Sequence, residues 1–290
     1  MKQRVVTGIF IAIFLLGYLF SMFTFVFPLL NALLAALSAY EIQKISGVKN
    51  KPLMGLSIAS AALIPVLFGR QRYVFAPVVS RALDYIARHL PAFAVLLVLL
   101  SLILMLAKYS VTRFEHMAVS LFGGVAVASS YGCTVLLTNP GKFSEGLPVQ
   151  VFFLMFSFSC AWVTDVFALF TGRAFGKHKL SPNISPKKTV EGAIGGIICA
   201  AVVNVIVLVI FKAIYPQKVI APYTLTVLMS VVLSAAGMCG DLSASVIKRN
   251  YGAKDFSNLL PGHGGIMDRF DSCLFIWPCM FGILNLIPAI

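Results

Sequence analysis

The sequence predicts an all-α integral membrane protein, a polytopic bundle of about nine transmembrane helices, and three observations carry that prediction. First, 59% of the 290 residues are hydrophobic and only 11% are charged, with a mean hydropathy of +0.94. That balance lies well outside the range of soluble domains. Second, the apolar residues fall in runs long enough to cross a hydrocarbon core, which takes about 20 residues per helix. Third, the longest loops between runs hold only about twenty residues, too few to close a soluble core of their own.

Taken in order, the predicted spans are Val5 to Phe20, Phe23 to Gln43, Leu53 to Phe68, Leu90 to Ala107, His116 to Leu137, Val149 to Phe170, Val190 to Ile214, Tyr223 to Ile247 and Phe270 to Ile287. The opening MKQRVVTGIFIAIFLLGYLF has the polarity of a secretory signal but no small-residue cleavage site, so it reads as a retained first helix. Between Arg70 and His89, RALDYIARHL has the spacing of an amphipathic helix lying at the interface. The expected organisation is one membrane domain over 1–290, with N-terminal spans in 1–137 and catalytic spans and loops in 149–290.

The formal charge of +13 is a topology signal rather than a nucleic-acid footprint, and no nucleic acid is expected as partner. With the N-terminus on one side and the spans alternating, about 16 of the 23 Lys and Arg residues gather on that side, which the positive-inside rule makes cytoplasmic. The expected location is therefore a multi-pass protein of the cell membrane. Acids follow the bases: Asp165, Glu191, Asp241, Asp255, Asp268 and Asp271 share that face, against Asp84 and Glu145 opposite. Topology rules do not ask for this, so the face is expected to hold chemistry that uses both signs. The six cysteines show neither CxxC pairing nor metal-site spacing and are read as small buried packing residues.

Three clusters make up that face. Asp165 sits near the end of the sixth span, where a carboxylate costs about 2.5–3.5 kcal/mol and so faces a polar cavity or an ion-pair partner. The second is GRAFGKHKLSPNISPKKTVEGAIGG. Ser185 and Pro186 read as N-cap and first residue of the seventh helix, which would put Lys187 and Lys188 in a first turn that disfavours cations. A bound phosphate would reverse that penalty, with Ser185, Thr189 and the two lysines around it; the plainer reading makes the lysines topology markers. GRAFGKH is no P-loop: Gly172 and Gly176 enclose three residues rather than four, and His178 follows Lys177. Gly192, Gly195 and Gly196 read as helix-packing residues.

The third cluster is SVIKRNYGAKDFSNLLPGHGGIMDRFDS, residues 245–272, with Asp241 just before it inside the eighth span. Lys248 and Arg249 suit the C-terminal end of that helix. Pro261, Gly262, Gly264 and Gly265 predict an irregular loop able to wrap its backbone around a ligand. Asp268 and Asp271 stand at i, i+3 and share a face if the ninth helix has begun. Carboxylates among lysines and arginines suit oxygen ligation of a hard cation beside phosphates, hence Mg²⁺, as one or two ions. Zinc suits them poorly, since His263 and His178 have no second His or Cys at ligand spacing.

The run Ser245, Lys248, Arg249, Lys254, Asp255, Ser257, Leu260, Pro261, His263, Gly264, Gly265, Asp268, Arg269 and Asp271 resembles the signature of the phosphatidate cytidylyltransferases, the CDP-diacylglycerol synthases. The SPKKT–EG stretch at Ser185 to Gly192 and the GDL ending in Asp241 and Leu242 also resemble that family. One departure is local: Asp165 is followed by VFAL, where the family commonly has Thr and then Ala-Tyr. The resemblance implies a nucleotidyltransferase that turns CTP and phosphatidate into CDP-diacylglycerol and pyrophosphate for phospholipid synthesis. Asp241, Asp268 and Asp271 would then hold divalent metal; Lys248, Arg249 and Arg269 would neutralise departing pyrophosphate; and Ser185, Lys187, Lys188, Thr189, Lys254, His263 and Asp165 would contact substrate. A CTP-dependent polyprenol-type lipid kinase and, more remotely, an ion-coupled transporter remain alternative readings, and nothing in the sequence excludes a homodimer.

Overall fold

The structure is a computed structural model and describes residues 2–73, 75–138, 147–216 and 221–286. Glu145 and Ile287, named above, lie outside the described residues. The chain divides into two compact units. One holds residues 1–136 with 255–269, and the other holds 137–254 with 270–290. The C-terminal signature is thus shared between them, which a contiguous motif does not disclose.

In the first unit the helices are α1 (Lys2–Ser21), α2 (Val26–Ile45), α3 (Lys51–Gly69), α4 (Pro77–Arg88), α5 (Leu90–Ala107) and α6 (Phe114–Leu137). Hydrogen bonds between buried residues knit them: Asn31 accepts from Tyr18 Oη at 2.9 Å and Thr134 Oγ1 at 2.8 Å, and Ser57 Oγ donates to Ser120 O at 2.6 Å. Buried polar groups of this kind are stable only when paired. α6 widens into a π-helical segment at Phe122–Val127, where Gly124 allows close approach: a Cβ there would meet Ser57 O at 2.9 Å. α4 is the amphipathic segment that the sequence predicts, with Val78, Val79 and Tyr85 exposed and Leu83 buried.

The second unit contains α7 (Leu147–Phe175), a β-hairpin of β1 (Lys179–Ser181) and β2 (Ser185–Thr189), α8 (Val190–Ile214), α9 (Tyr223–Asn250), the end of a short α10 (Met267–Phe270) and α11 (Cys273–Leu286). Here the packing reading of the glycines holds. Cβ atoms on Gly192 and Gly196 would meet Ala168 O and Thr164 O at 2.6 Å, and one on Gly195 would meet the Thr171 side chain at the same distance. Without side chains at those positions α8 closes on α7. Thr164 Oγ1 donates to Ser234 Oγ at 2.9 Å and Asn204 Nδ2 to Ser230 Oγ at 3.1 Å, tying α7 and α8 to α9. Fully buried Trp277 meets the Phe158 ring edge-on at 6.0 Å.

Two expectations about the helices change. Among the described residues seven helices are long and apolar enough to cross a membrane, and the first and last predicted spans fall on α1 and α11, whose described apolar stretches are Thr7–Ser21 and Cys273–Leu286. The chain turns at Asp271 and Ser272, so α11 begins three residues later than the predicted span. The cysteines divide as well: Cys133, Cys160 and Cys273 are buried, Cys199 is intermediate, and Cys239 and Cys279 are exposed. A thiol is apolar enough to face acyl chains, so burial within the protein is not required of it.

Candidate active site

Ser185 and Pro186 do not start a helix. Residues Ser185–Thr189 form β2, antiparallel to β1, with Lys179 opposite Thr189 and Ser181 opposite Ser185. The turn at Pro182, Asn183 and Ile184 closes this hairpin, and strand pairing satisfies backbone groups that the sequence reading assigned to a helix. The cap is Thr189 instead: its backbone is extended and its Oγ1 accepts from Gly192 N at 3.1 Å. Glu191 then occupies the first turn, where the macrodipole favours an anion, and accepts from Lys177 N at 3.0 Å and His178 N at 3.2 Å. The loop leaving α7 is thereby fastened to α8. Lys187 and Lys188 alternate along an extended strand, and the argument that they occupy an unfavourable helical turn lapses.

That hairpin forms one wall of a cavity of about 300 Å³ inside the second unit. Ser185, Lys187, Lys188 and Thr189 line it from β2, Asp165 and Ala168 from α7, and Met238 and Asp241 from α9. The volume is that of a small-ligand pocket. Lys188 Nζ forms an ion pair with Asp241, both side chains being about one-quarter exposed. Asp165 accepts a long hydrogen bond from Ser272 Oγ at 3.5 Å. The structure therefore brings together six sequence-predicted site residues, Asp165, Ser185, Lys187, Lys188, Thr189 and Asp241, from segments up to 76 positions apart.

Asp271 stands in the turn ahead of α11 and accepts from Ser272 N at 2.8 Å. Asp241 and Lys248 both act on it electrostatically within this unit. Two neighbouring carboxylates favour a cation beside them. The small residues before Asp241 have a packing role: Cβ atoms on Gly237 and Gly240 would meet Ile276 and the backbone O of Asp271 at 2.8 and 2.6 Å. This close contact of α9 with α11 sets Asp271 in the neighbourhood of Asp241.

Lys248 and Arg249 stand in the last turn of α9, as the helix-terminus reading expects; Lys248 is buried there and Arg249 exposed. Gly252, with φ of +65°, reverses the chain so that Ala253 N reaches Lys248 O at 2.9 Å. Lys254 is exposed at the limit of this unit.

Asp268 belongs to the first unit, where it is buried and its Oδ2 accepts from Phe256 N at 2.8 Å and Gly265 N at 2.9 Å. The same-face argument for Asp268 and Asp271 does not apply, because α10 ends at Phe270 and the helix is broken between them. Around Asp268 the loop turns at Gly262 and Gly264, with φ of +76° and +79°, and Leu260 N donates to Gly264 O at 2.8 Å. His263 N donates to Leu260 O at 2.8 Å, while its Nδ1 is buried without a hydrogen-bond partner among the described residues. Arg269 is exposed.

Sequence reasoning overlooked Glu41. It lies in α2, 1% exposed, and its carboxylate accepts from Ser257 Oγ, Ile266 N and Met267 N at 2.6, 3.0 and 2.8 Å, all within the first unit. The available signal was an acid in the otherwise apolar VFPLLNALLAALSAYEIQKI.

Among the described residues no group of three or more His, Cys, Asp or Glu stands ready to hold a metal ion by itself. The donor chemistry nevertheless fits Mg²⁺, which is commonly held by one or two carboxylates and completed by substrate phosphates and water. Asp241 and Asp271 are such hard oxygen donors, with Lys188 paired to Asp241 and Lys248 acting on Asp271.

Comparison with known proteins agrees in one direction. Residues 2–287 match the model of a cytidylyltransferase family. The phosphatidate cytidylyltransferase of Bacillus subtilis is 32% identical over 286 residues, covering 99% of this chain and 98% of that protein. The enzymes of the same name from Staphylococcus saprophyticus and Staphylococcus aureus are 44% and 42% identical over 137 residues, 47% of this chain and 49% of each of theirs.

Proposed function

This chain belongs to the cytidylyltransferase family, and from that premise we propose that it is a CTP:phosphatidate cytidylyltransferase, a multi-pass membrane enzyme that makes CDP-diacylglycerol and pyrophosphate for phospholipid biosynthesis. The observation that carries the reading is the cavity of the second unit, where lysines and carboxylates from three separate segments meet beside apolar helices. A phosphate oxygen of phosphatidate attacks the α-phosphorus of CTP, and the bond to the β-phosphate bridging oxygen breaks. The electron pair leaves with pyrophosphate. Phosphatidate is already an anion, so no general base is required, and the protein's task is alignment and charge neutralisation.

Each group has a task in that scheme. Lys187, Lys188, Ser185 and Thr189 supply donors to substrate phosphates at the hairpin wall. Lys248, Arg249 and Arg269 neutralise the pyrophosphate as it departs. Lys254 and His263 contact substrate, and Asp165 forms the acidic wall of the cavity. Asp241 and Asp271 would hold Mg²⁺, one ion or two, and the signature that contains Asp268 puts it forward as a further ligand. The chemistry such a cation would supply when bound is Lewis-acid polarisation of the phosphoryl group. The concentration of Lys and Arg on one side supports a site at the cytoplasmic face, where CTP arrives from water and the lipid head group enters laterally.

Label position distinguishes this reaction from a lipid kinase. Purified protein is supplied with phosphatidate, Mg²⁺ and CTP labelled at either the α- or the γ-phosphate. The α-label is expected in the lipid phase and the γ-label in pyrophosphate. Transfer of the γ-label to lipid with release of CDP would replace this reading by the kinase.

A further inference from the structure

Glu41 is removed from water in the apolar helix α2, and a buried carboxylate of this kind persists only where donors compensate for lost hydration. Its donors come from both limbs of one loop. Ser257 Oγ precedes the Pro261–Gly265 turn, and Ile266 N and Met267 N follow it. Oε1 takes Ser257 and Ile266, and Oε2 takes Met267, so both oxygens are used. Gly265 leaves room for the arrangement, since a Cβ there would stand 2.5 and 2.6 Å from the two oxygens. Asp268 fastens the same loop from within by accepting from Phe256 N and Gly265 N.

We infer that Glu41 is a positioning residue, which fixes the loop between Asp255 and Arg269 and so sets His263, Asp268 and Arg269 in the arrangement that the reaction uses. The inference rests on the proposed function for the word reaction; the clamp itself rests on geometry alone. Charge is the essential property. A carboxylate accepts along all three directions, whereas the amide of a glutamine of the same shape offers one oxygen and turns an NH₂ toward a backbone N–H.

The test uses the full chain in lipid nanodiscs and compares wild type, Glu41→Gln and Ser257→Ala. Two quantities are read: CDP-diacylglycerol formation, and amide hydrogen exchange across residues 256–267 and across α3. For Glu41→Gln we expect kcat/KM to fall at least tenfold, chiefly through kcat, and exchange in 256–267 to accelerate at least tenfold while α3 is unchanged. Ser257→Ala removes one of three donors and is expected to lower kcat/KM about two- to fivefold. Wild-type turnover with wild-type exchange in Glu41→Gln would overturn the inference, as would faster exchange spread equally over the loop and α3. A wild-type protein that makes no CDP-diacylglycerol would instead overturn the proposed function, and the exchange comparison would still decide the clamp.

Discussion

Asp241→Asn is expected to lower kcat by about 10²–10³-fold while the protein still folds, the range seen when one preorganised charge-stabilising group is lost from an active site. The substitution keeps the shape of the side chain and removes its charge. Asp241 lines the cavity, pairs with Lys188 and is the principal like charge beside Asp271. In the amide variant a cation would lose one of its hard anionic ligands, and Lys188 loses the partner that holds it against the α9 wall. Steady-state assays at saturating CTP and phosphatidate, with size-exclusion elution as the check on folding, measure the effect. Wild-type turnover in the variant would remove Asp241 from the chemistry.

The next largest effect is expected from Lys188→Met. A charge-assisted bond to phosphate contributes about 1.5–3 kcal/mol, which corresponds to roughly 10–150-fold in kcat/KM for CTP. Lys188 is about one-quarter exposed and Lys187 is exposed, so solvent screens Lys187 more and Lys187→Met is expected to cause the smaller loss. Measured side by side, the two variants separate a phosphate clamp from a topology signal. Equal and negligible effects would make both lysines topology markers only.

Much of this architecture is legible in the amino-acid sequence. Hydropathy locates the long spans to within a few residues, because a bilayer demands unbroken apolar runs of a length that nothing else in the chain imitates. Charge placement picks out Asp165, Lys188 and Asp241, which the fold gathers at one cavity. Local signals are less reliable where two motifs compete for the same residues. Ser185–Pro186 is a sound helix start by itself, yet β1 pairing claims those residues and passes the cap to Thr189 four positions on. The break between Asp268 and Asp271 is invisible in sequence because MDRF and CLFI both read as helix, and only the turn at Asp271 and Ser272 separates them. Glu41 escapes for a different reason: its importance lies in contacts 216 to 226 positions away, which no local pattern encodes.

Mn²⁺ binding followed by electron paramagnetic resonance tests the central claim, that carboxylates at the cavity hold a divalent cation together with the phosphates of CTP. Wild-type protein with CTP is expected to bind Mn²⁺ in competition with Mg²⁺, and Asp241→Asn and Asp271→Asn each to weaken that binding at least tenfold. Unchanged Mn²⁺ affinity in both variants would contradict the account.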